Sequence, residues 1–157
     1  MKVAFWQIGK TRPDYFAQAE QEYAGRLKRY LPFEIRVIPD IRKAGRLSPQ
    51  ALKEKEAEAV LRLLHEDDFL VLLDEQGKSF SSLAFAKWME ARLSGSGRRL
   101  LFLVGGAYGF SGALRERANA MLSLSPMTFS HQLVRPVFLE QLYRAMSILR
   151  NEPYHNP

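Results

Sequence analysis

Five short apolar runs alternate with five stretches of helical periodicity, and that alternation narrows the choice of fold more than any other property of the chain. Lys2 to Ile8, Phe33 to Val37, Phe69 to Leu73, Leu100 to Val104 and Leu122 to Phe129 read as strands. Helices are predicted from Pro13 to about Tyr30, from Ser48-Pro49 to about His65, from Ser81 or Ser82 to Leu93, after Gly109, and from about Leu133 to Arg150. The fourth of these carries Leu114, Ala118, Met121 and Leu122 at helical spacing. Pro13 and Pro49 stand where a helix can lack an N–H, Ser48 is a good N-cap, and Pro39 closes the second strand. Phe69 to Leu73 and Leu100 to Val104 are apolar throughout, the pattern of strands covered on both faces. The fold class is therefore α/β, with a mostly parallel sheet and helices on both faces.

At 157 residues the chain fits one domain, residues 1–157, with neither linker nor internal repeat. A domain of this size buries roughly 68–70% of its unfolded surface, enough for a core without staples. The chain has no cysteine, which excludes disulfides, thiolate zinc sites and a cysteine nucleophile and suits a reducing cytosol. No apolar run approaches the roughly 20 residues of a membrane span, and Met1 to Lys10 lacks a signal-peptide pattern, so a soluble, cytoplasmic protein is expected. Lys and Arg exceed Asp and Glu to give a net charge of +6, which favours a polyanionic partner. The stretch from Asp40 to Arg46, with Arg42, Lys43 and Arg46, is either a phosphate-contacting loop or a solvated one.

Two strands run straight into loops of ligand-binding type: Leu100–Val104 into Gly105-Gly106-Ala107-Tyr108-Gly109, and Leu122–Phe129 into His131-Gln132-Leu133-Val134-Arg135. In an open parallel sheet ligands bind at the carboxyl ends of strands, and paired glycines let a small molecule approach the main chain. The common nucleotide motifs fail position by position. Gly9-Lys10-Thr11 ends a stretch whose would-be phosphate cradle, Phe5-Trp6-Gln7, is bulky, and Arg12-Pro13 follows where a helix should run. The Gly105 to Gly109 loop lacks the dinucleotide spacing. His65, His131 and His155 are widely separated and carry no metal-ligand spacing, so no metal is expected.

Five further patterns occur in order: Leu73-Asp74-x-x-Gly77-Lys78-x-x-Ser81-Ser82, Gly105-Gly106-x-x-Gly109-Phe110-Ser111, Leu124-Ser125-x-Met127-Thr128-Phe129-x-His131-x-Leu133-x-Arg135, Glu140-Gln141-Leu142-Tyr143-Arg144-Ala145, and Asn151-x-Pro153-Tyr154-His155. Together, over the whole chain, they resemble the RlmH family, formerly called YbeA, of small SPOUT-class methyltransferases acting on 23S ribosomal RNA. The resemblance implies a homodimer with a C-terminal trefoil knot, S-adenosylmethionine as cofactor, and N3-methylpseudouridine in the helix 69 loop as product. Carried over by motif, the cofactor would meet Leu73, Gly105, Leu124, Ser125, Pro126, Met127, Thr128 and Phe129. The target-facing group would be His131, Arg135, Glu140, Arg144, Tyr154 and His155, with His155 or His131 as base and Arg135 or Arg144 stabilising the anion.

The partner implied is 23S ribosomal RNA in the ribosome, with neither DNA nor a membrane. It would be read through basic patches at Arg26, Lys28, Arg29 and the loop from Arg42 to Arg46. The broad apolar stripe of the last helix, Val134, Phe138, Leu142, Met146 and Leu149 with Leu139 and Tyr143 beside it, suggests a subunit contact, although a deeply buried helix has the same pattern. Pro136 and the terminal Asn156-Pro157 depart from the family pattern, at the start of the last helix and after the Tyr-His pair. Two other classes stay open: a ribosome-associated dimer that transfers nothing, and a nucleotide-phosphate enzyme built on Gly9-Lys10-Thr11.

Overall fold

In the computed structural model, which describes residues 1–157, strands and helices alternate in the expected order. They are β1 (Lys2–Ile8), α1 (Asp14–Leu27), β2 (Phe33–Ile38), α2 (Pro49–Leu61), β3 (Phe69–Ser79), α3 (Ser82–Leu93), β4 (Arg99–Val104), α4 (Gly112–Arg117), β5 (Ala120–Ser123) and α5 (Val134–Leu149). Serine caps set three helix starts: Ser48, Ser81 and Ser111 each accept from the backbone N–H three residues on. All five strands are parallel, in the order β2-β1-β4-β3-β5. No helix is long and apolar enough to cross a membrane.

Alternate residues of the central strands feed two separate cores. Val3, Phe5, Val71, Leu100 and Phe102 point to the face covered by α1, α3 and α5. Ala4, Trp6, Leu70, Leu72, Leu101 and Leu103 point to the other, where Ala57 and Val60 of α2 and Leu114 of α4 pack. This arrangement explains the unbroken apolar runs Val3–Trp6, Phe69–Leu73 and Leu100–Val104. Helix α5 is the middle of its three-helix layer: Phe138 packs 4.7 Å from Phe102 and 5.5 Å from Phe5, centroid to centroid, with Phe85 of α3 on one side. Tyr143 meets Tyr23 of α1 on the other. The breadth of the α5 stripe is thus accounted for within one chain, by the home sheet and two neighbouring helices. Pro136 sits in the first turn of α5, where no intrahelical acceptor awaits its missing N–H, and the helix runs on from Val134 to Leu149.

The region from Leu114 to Phe129 differs from the sequence pattern at both ends. Helix α4 stops at Arg117 because Asn119 pairs with the β3 backbone through both its own N–H, donated to Leu70 O at 2.8 Å, and its side-chain oxygen, which accepts from Leu70 N–H at 2.8 Å. Met121 and Leu122 are therefore strand residues. The strand then ends at Ser123, whose hydroxyl turns to donate to Ser125 O, so Leu124 to Phe129 is a loop and not the second half of a strand. β3 is longer than expected: after Leu73 it bulges outward over four residues and returns to pair Lys78 with Leu122, the residue already opposite Leu73.

Candidate active site

A cavity of about 320 Å³ opens at the carboxyl ends of β3, β4 and β5. Leu73 contributes from the end of β3, Gly105 from the end of β4, and Leu124, Ser125, Met127, Thr128 and Phe129 from the loop after β5. Pro126 is exposed and does not form part of the wall. The loop is shaped locally, since the Ser125 hydroxyl accepts from Met127 N–H at 3.0 Å, and Thr128 donates to the Glu75 carboxylate across the opening. Glu75 belongs to the β3 bulge, which also brings Asp74 and Gln76 to the wall. Gly77 makes the bulge possible: a Cβ there would lie 2.6 Å from the Met121 carbonyl carbon and 2.7 Å from Leu122 N.

The glycines after β4 serve the protein's own packing. A Cβ on Gly105 would sit 3.2 Å from both Gly109 O and the Phe110 ring, and one on Gly106 would collide with the Glu56 carboxylate. Gly109, at φ +82°, closes a tight hairpin in which its N–H donates to Gly106 O at 3.1 Å. Gly105 remains part of the cavity wall, while at Gly106 the neighbour is Glu56 of α2. That carboxyl is buried and has no hydrogen-bond partner, and its pKa is pushed up to about 7, by burial first and by Asp40 second.

His131 lies on the cavity wall, in the turn before α5. Its pKa is lowered, mainly by burial and then by the Arg135 charge, with Asp40 opposing, so the imidazole is neutral at pH 7. Arg135 is fully buried and does not face the opening, contrary to the target-facing placement expected of it. Its guanidinium donates to Ile8 O at 2.8 Å, Gly9 O at 3.0 Å, Thr11 Oγ1 at 3.1 Å and His131 O at 2.9 Å. Thr11 passes the network on to Glu20 of α1, which also accepts from Gln7. Arg135 thus fastens the end of β1 to the turn that presents His131. The same ties occupy Gly9 and Thr11, and Gly9 N–H donates to Ile38 O at 2.7 Å, so Gly9-Lys10-Thr11 forms no phosphate cradle.

Glu140, Arg144, Tyr154 and His155 come together elsewhere, on the outer side of α5. Arg144 pairs with Glu140, Tyr154 donates to Glu140 at 3.0 Å, and an Arg144 nitrogen lies 3.2 Å from His155 Nδ1. The Glu140 hydrogen bond raises the Arg144 pKa, and burial, with Tyr23 and Glu140 next, raises that of Tyr154. None of these four lines the cavity. One chain therefore divides most of the expected residues between a cofactor-type cavity with His131 and a C-terminal cluster, with Arg135 and Pro126 in neither.

The comparison that decides the family is a match to the model of a predicted SPOUT methyltransferase over residues 1–155. The chain belongs to the SPOUT methyltransferases. Among similar proteins, ribosomal RNA large subunit methyltransferase H of Parabacteroides distasonis is 51% identical over 156 residues, 99% of each chain. Proteins of the same name from Christiangramia forsetii and Porphyromonas gingivalis are 47% and 45% identical over 99% of each chain. In this SPOUT methyltransferase, sequence reasoning assigned no role to the wall residues Asp74, Glu75, Gln76 and Arg115, and reached Tyr108 only as a member of the Gly105 to Gly109 loop. Gly77 in an otherwise strand-like run was the available signal for the bulge that delivers the first three. Arg115, which donates to Asp74 at 2.9 Å, had no sequence signal because that partner lies 41 residues away along the chain.

Proposed function

We propose that this chain is an S-adenosylmethionine-dependent methyltransferase of 23S ribosomal RNA, methylating N3 of a pseudouridine in the helix 69 loop. It works as a cytoplasmic homodimer on assembled ribosomes and carries the trefoil knot of its family. The observation that supports this reading most directly is the charge of the cavity in a chain of this family. Its walls are apolar at Leu73, Val104, Leu122, Leu124 and Phe129, and its rim carries two carboxylates, Asp74 and Glu75, against one guanidinium, Arg115, already paired with Asp74. An apolar cavity with an acidic rim suits a nucleoside bearing a positive sulfonium and is hostile to a triphosphate. The volume is at the lower end of the range for small-molecule sites.

Leu73, Leu124 and Phe129 would cover the adenine faces, and the backbone of Ser125 to Phe129 would meet its edge. When bound, the sulfonium cofactor supplies an electrophilic methyl group for direct in-line transfer. The ring nitrogen must lose its proton, and His131, neutral and on the cavity wall, is able to accept it. Holding both reactants in line supplies roughly 7–11 kcal/mol of the barrier in well-oriented systems, so the base is a secondary contribution. None of Glu140, Arg144, Tyr154 and His155 lines the cavity of its own chain, and a dimer in which one copy sets this cluster at the other's opening would unite the two groups.

Calorimetry with S-adenosylhomocysteine beside ATP, followed by methyl transfer to ribosomes with mass spectrometry of the product nucleoside, tests the reading. Binding of the first ligand only, and a methylated pseudouridine, is the expected result. ATP binding instead, or homocysteine-nucleoside binding without transfer to any ribosomal RNA, overturns it.

A further inference from the structure

Tyr108 is the one tyrosine of the chain with no partner. Tyr15 packs against Phe16, Tyr23 and Tyr30 meet Tyr143, and Tyr154 packs on Tyr143 and under Arg144. Tyr108 makes no hydrogen bond, no aromatic pair and no cation contact, and it is 56% exposed while still forming part of the cavity wall. The hairpin that carries it is held firmly. Gly106 and Gly109 pair across its neck, Glu56 presses against Gly106, and Gly109 and Phe110 press against Gly105. A rigid hairpin thus lifts a bare aromatic ring to the opening of the cavity.

We propose that Tyr108 is a stacking platform for the target nucleobase, an unpaired base of single-stranded RNA splayed out of its loop. The inference rests on the ribosomal RNA methyltransferase reading and names the residue that holds its substrate. A nitrogen on the pairing edge of a base is reachable only when the base is unpaired, and single-stranded bases are commonly held by stacking on exposed aromatic rings. Stacking occupies a face and leaves the edge free in its own plane, so a base lying on Tyr108 can turn its edge toward the cavity. Charge orients it in the same sense. Asp74 and Glu75 repel a phosphate from the rim and admit a neutral base, and Ala107 and Tyr108 at the hairpin tip offer no cation to hold a phosphate there.

The test compares Tyr108→Ala, Tyr108→Phe and Tyr108→Trp with the wild type on ribosomal substrate, with S-adenosylhomocysteine affinity and melting temperature measured alongside. For Tyr108→Ala, kcat/KM for RNA is expected to fall about 5- to 150-fold, the range of one base–aromatic stack. Its cofactor affinity should stay within about twofold and its melting temperature should not move. Tyr108→Phe and Tyr108→Trp should recover most of the loss, and the new tryptophan should be quenched when substrate binds. The proposal is overturned if Tyr108→Ala is as active as wild type, if its cofactor affinity falls in parallel, or if the Phe variant is as poor as Ala. A wild-type protein that binds S-adenosylhomocysteine and methylates no ribosomal RNA defeats the functional reading itself, and the platform with it; an active wild type beside an unaffected Tyr108→Ala defeats the platform alone.

Discussion

Two buried ionisable residues near the cavity differ in whether their polar atoms are partnered. The Glu56 carboxyl binds its proton more tightly in the folded chain, at about 7, than at its ordinary value of 4.5. Between those two pH values the native state holds more protons than the unfolded state, so this residue lowers stability as pH rises through the window and adds no slope above it. Glu56→Gln should therefore melt close to wild type at pH 5 and a few degrees above it at pH 8. Melting curves across that range check this, and parallel curves for the two proteins would refute it. Arg135 differs in being partnered, each of its three nitrogens donating to at least one acceptor. Arg135→Met leaves Ile8 O, Gly9 O and His131 O without their donor in a dry interior. Hydrogen bonds to charged groups are worth about 1.5–3 kcal/mol each, so a loss of about 3 kcal/mol or more is expected. That corresponds to a melting point lower by roughly 6–12 °C for a chain of this size. An unchanged melting point together with lost methyl transfer would return Arg135 to the chemistry.

At the scale of elements, the sequence was most legible where one physical signal acted alone. β1, β4 and the first half of β3 were read correctly because burial on both faces leaves long apolar runs, Val3–Trp6, Leu100–Val104 and Phe69–Leu73, and α2 and α3 were located by their serine caps. Legibility failed between Leu114 and Phe129, where helical spacing and strand propensity overlap and the decision is made by Asn119 pairing with β3, a contact 49 residues apart in sequence. It failed again for Arg135, since a motif can mark an arginine without showing whether its guanidinium turns outward or inward onto His131 O and three acceptors more than 120 residues away. The β3 bulge is the element on which the cavity depends most, and Gly77 is where it is most fragile. Gly77→Ala places a methyl against the Met121–Leu122 backbone, which has no side-chain freedom with which to yield. Separation of β3 from β5, loss of at least tenfold in S-adenosylhomocysteine affinity and a lower melting point are expected. Gly112→Ala, in helix α4 with open space around it, should leave affinity intact and gain up to about 1 kcal/mol of stability. Equal affinity in both variants would show that the bulge does not shape the cavity.

Across the whole molecule, the excess of positive charge has to be placed before it explains RNA binding. In a parallel sheet each helix returns the chain from the carboxyl end to the amino end, so Lys28 and Arg29, just after α1, lie at the end opposite the cavity. Arg42, Lys43 and Arg46 follow β2 and lie at the cavity end. The two basic segments therefore do not form one patch, and only the second can hold phosphates while a base sits at the cavity of the same subunit. The rim itself is acidic, so phosphate contacts must come from beside it. Neutralising Arg42, Lys43 and Arg46 together should weaken ribosome binding and flatten its salt dependence. The slope of log K against log salt should fall by about 2, the value for three phosphate contacts on single strands at about 0.7 each. Neutralising Lys28 and Arg29 should change the slope less. Because three contacts are few, shape must supply the remaining discrimination, and the enzyme should act on assembled ribosomes far faster than on an isolated stem-loop. Comparable rates on the two substrates, or equal salt slopes for the two charge variants, would mean that the loop after β2 is not where the RNA backbone runs.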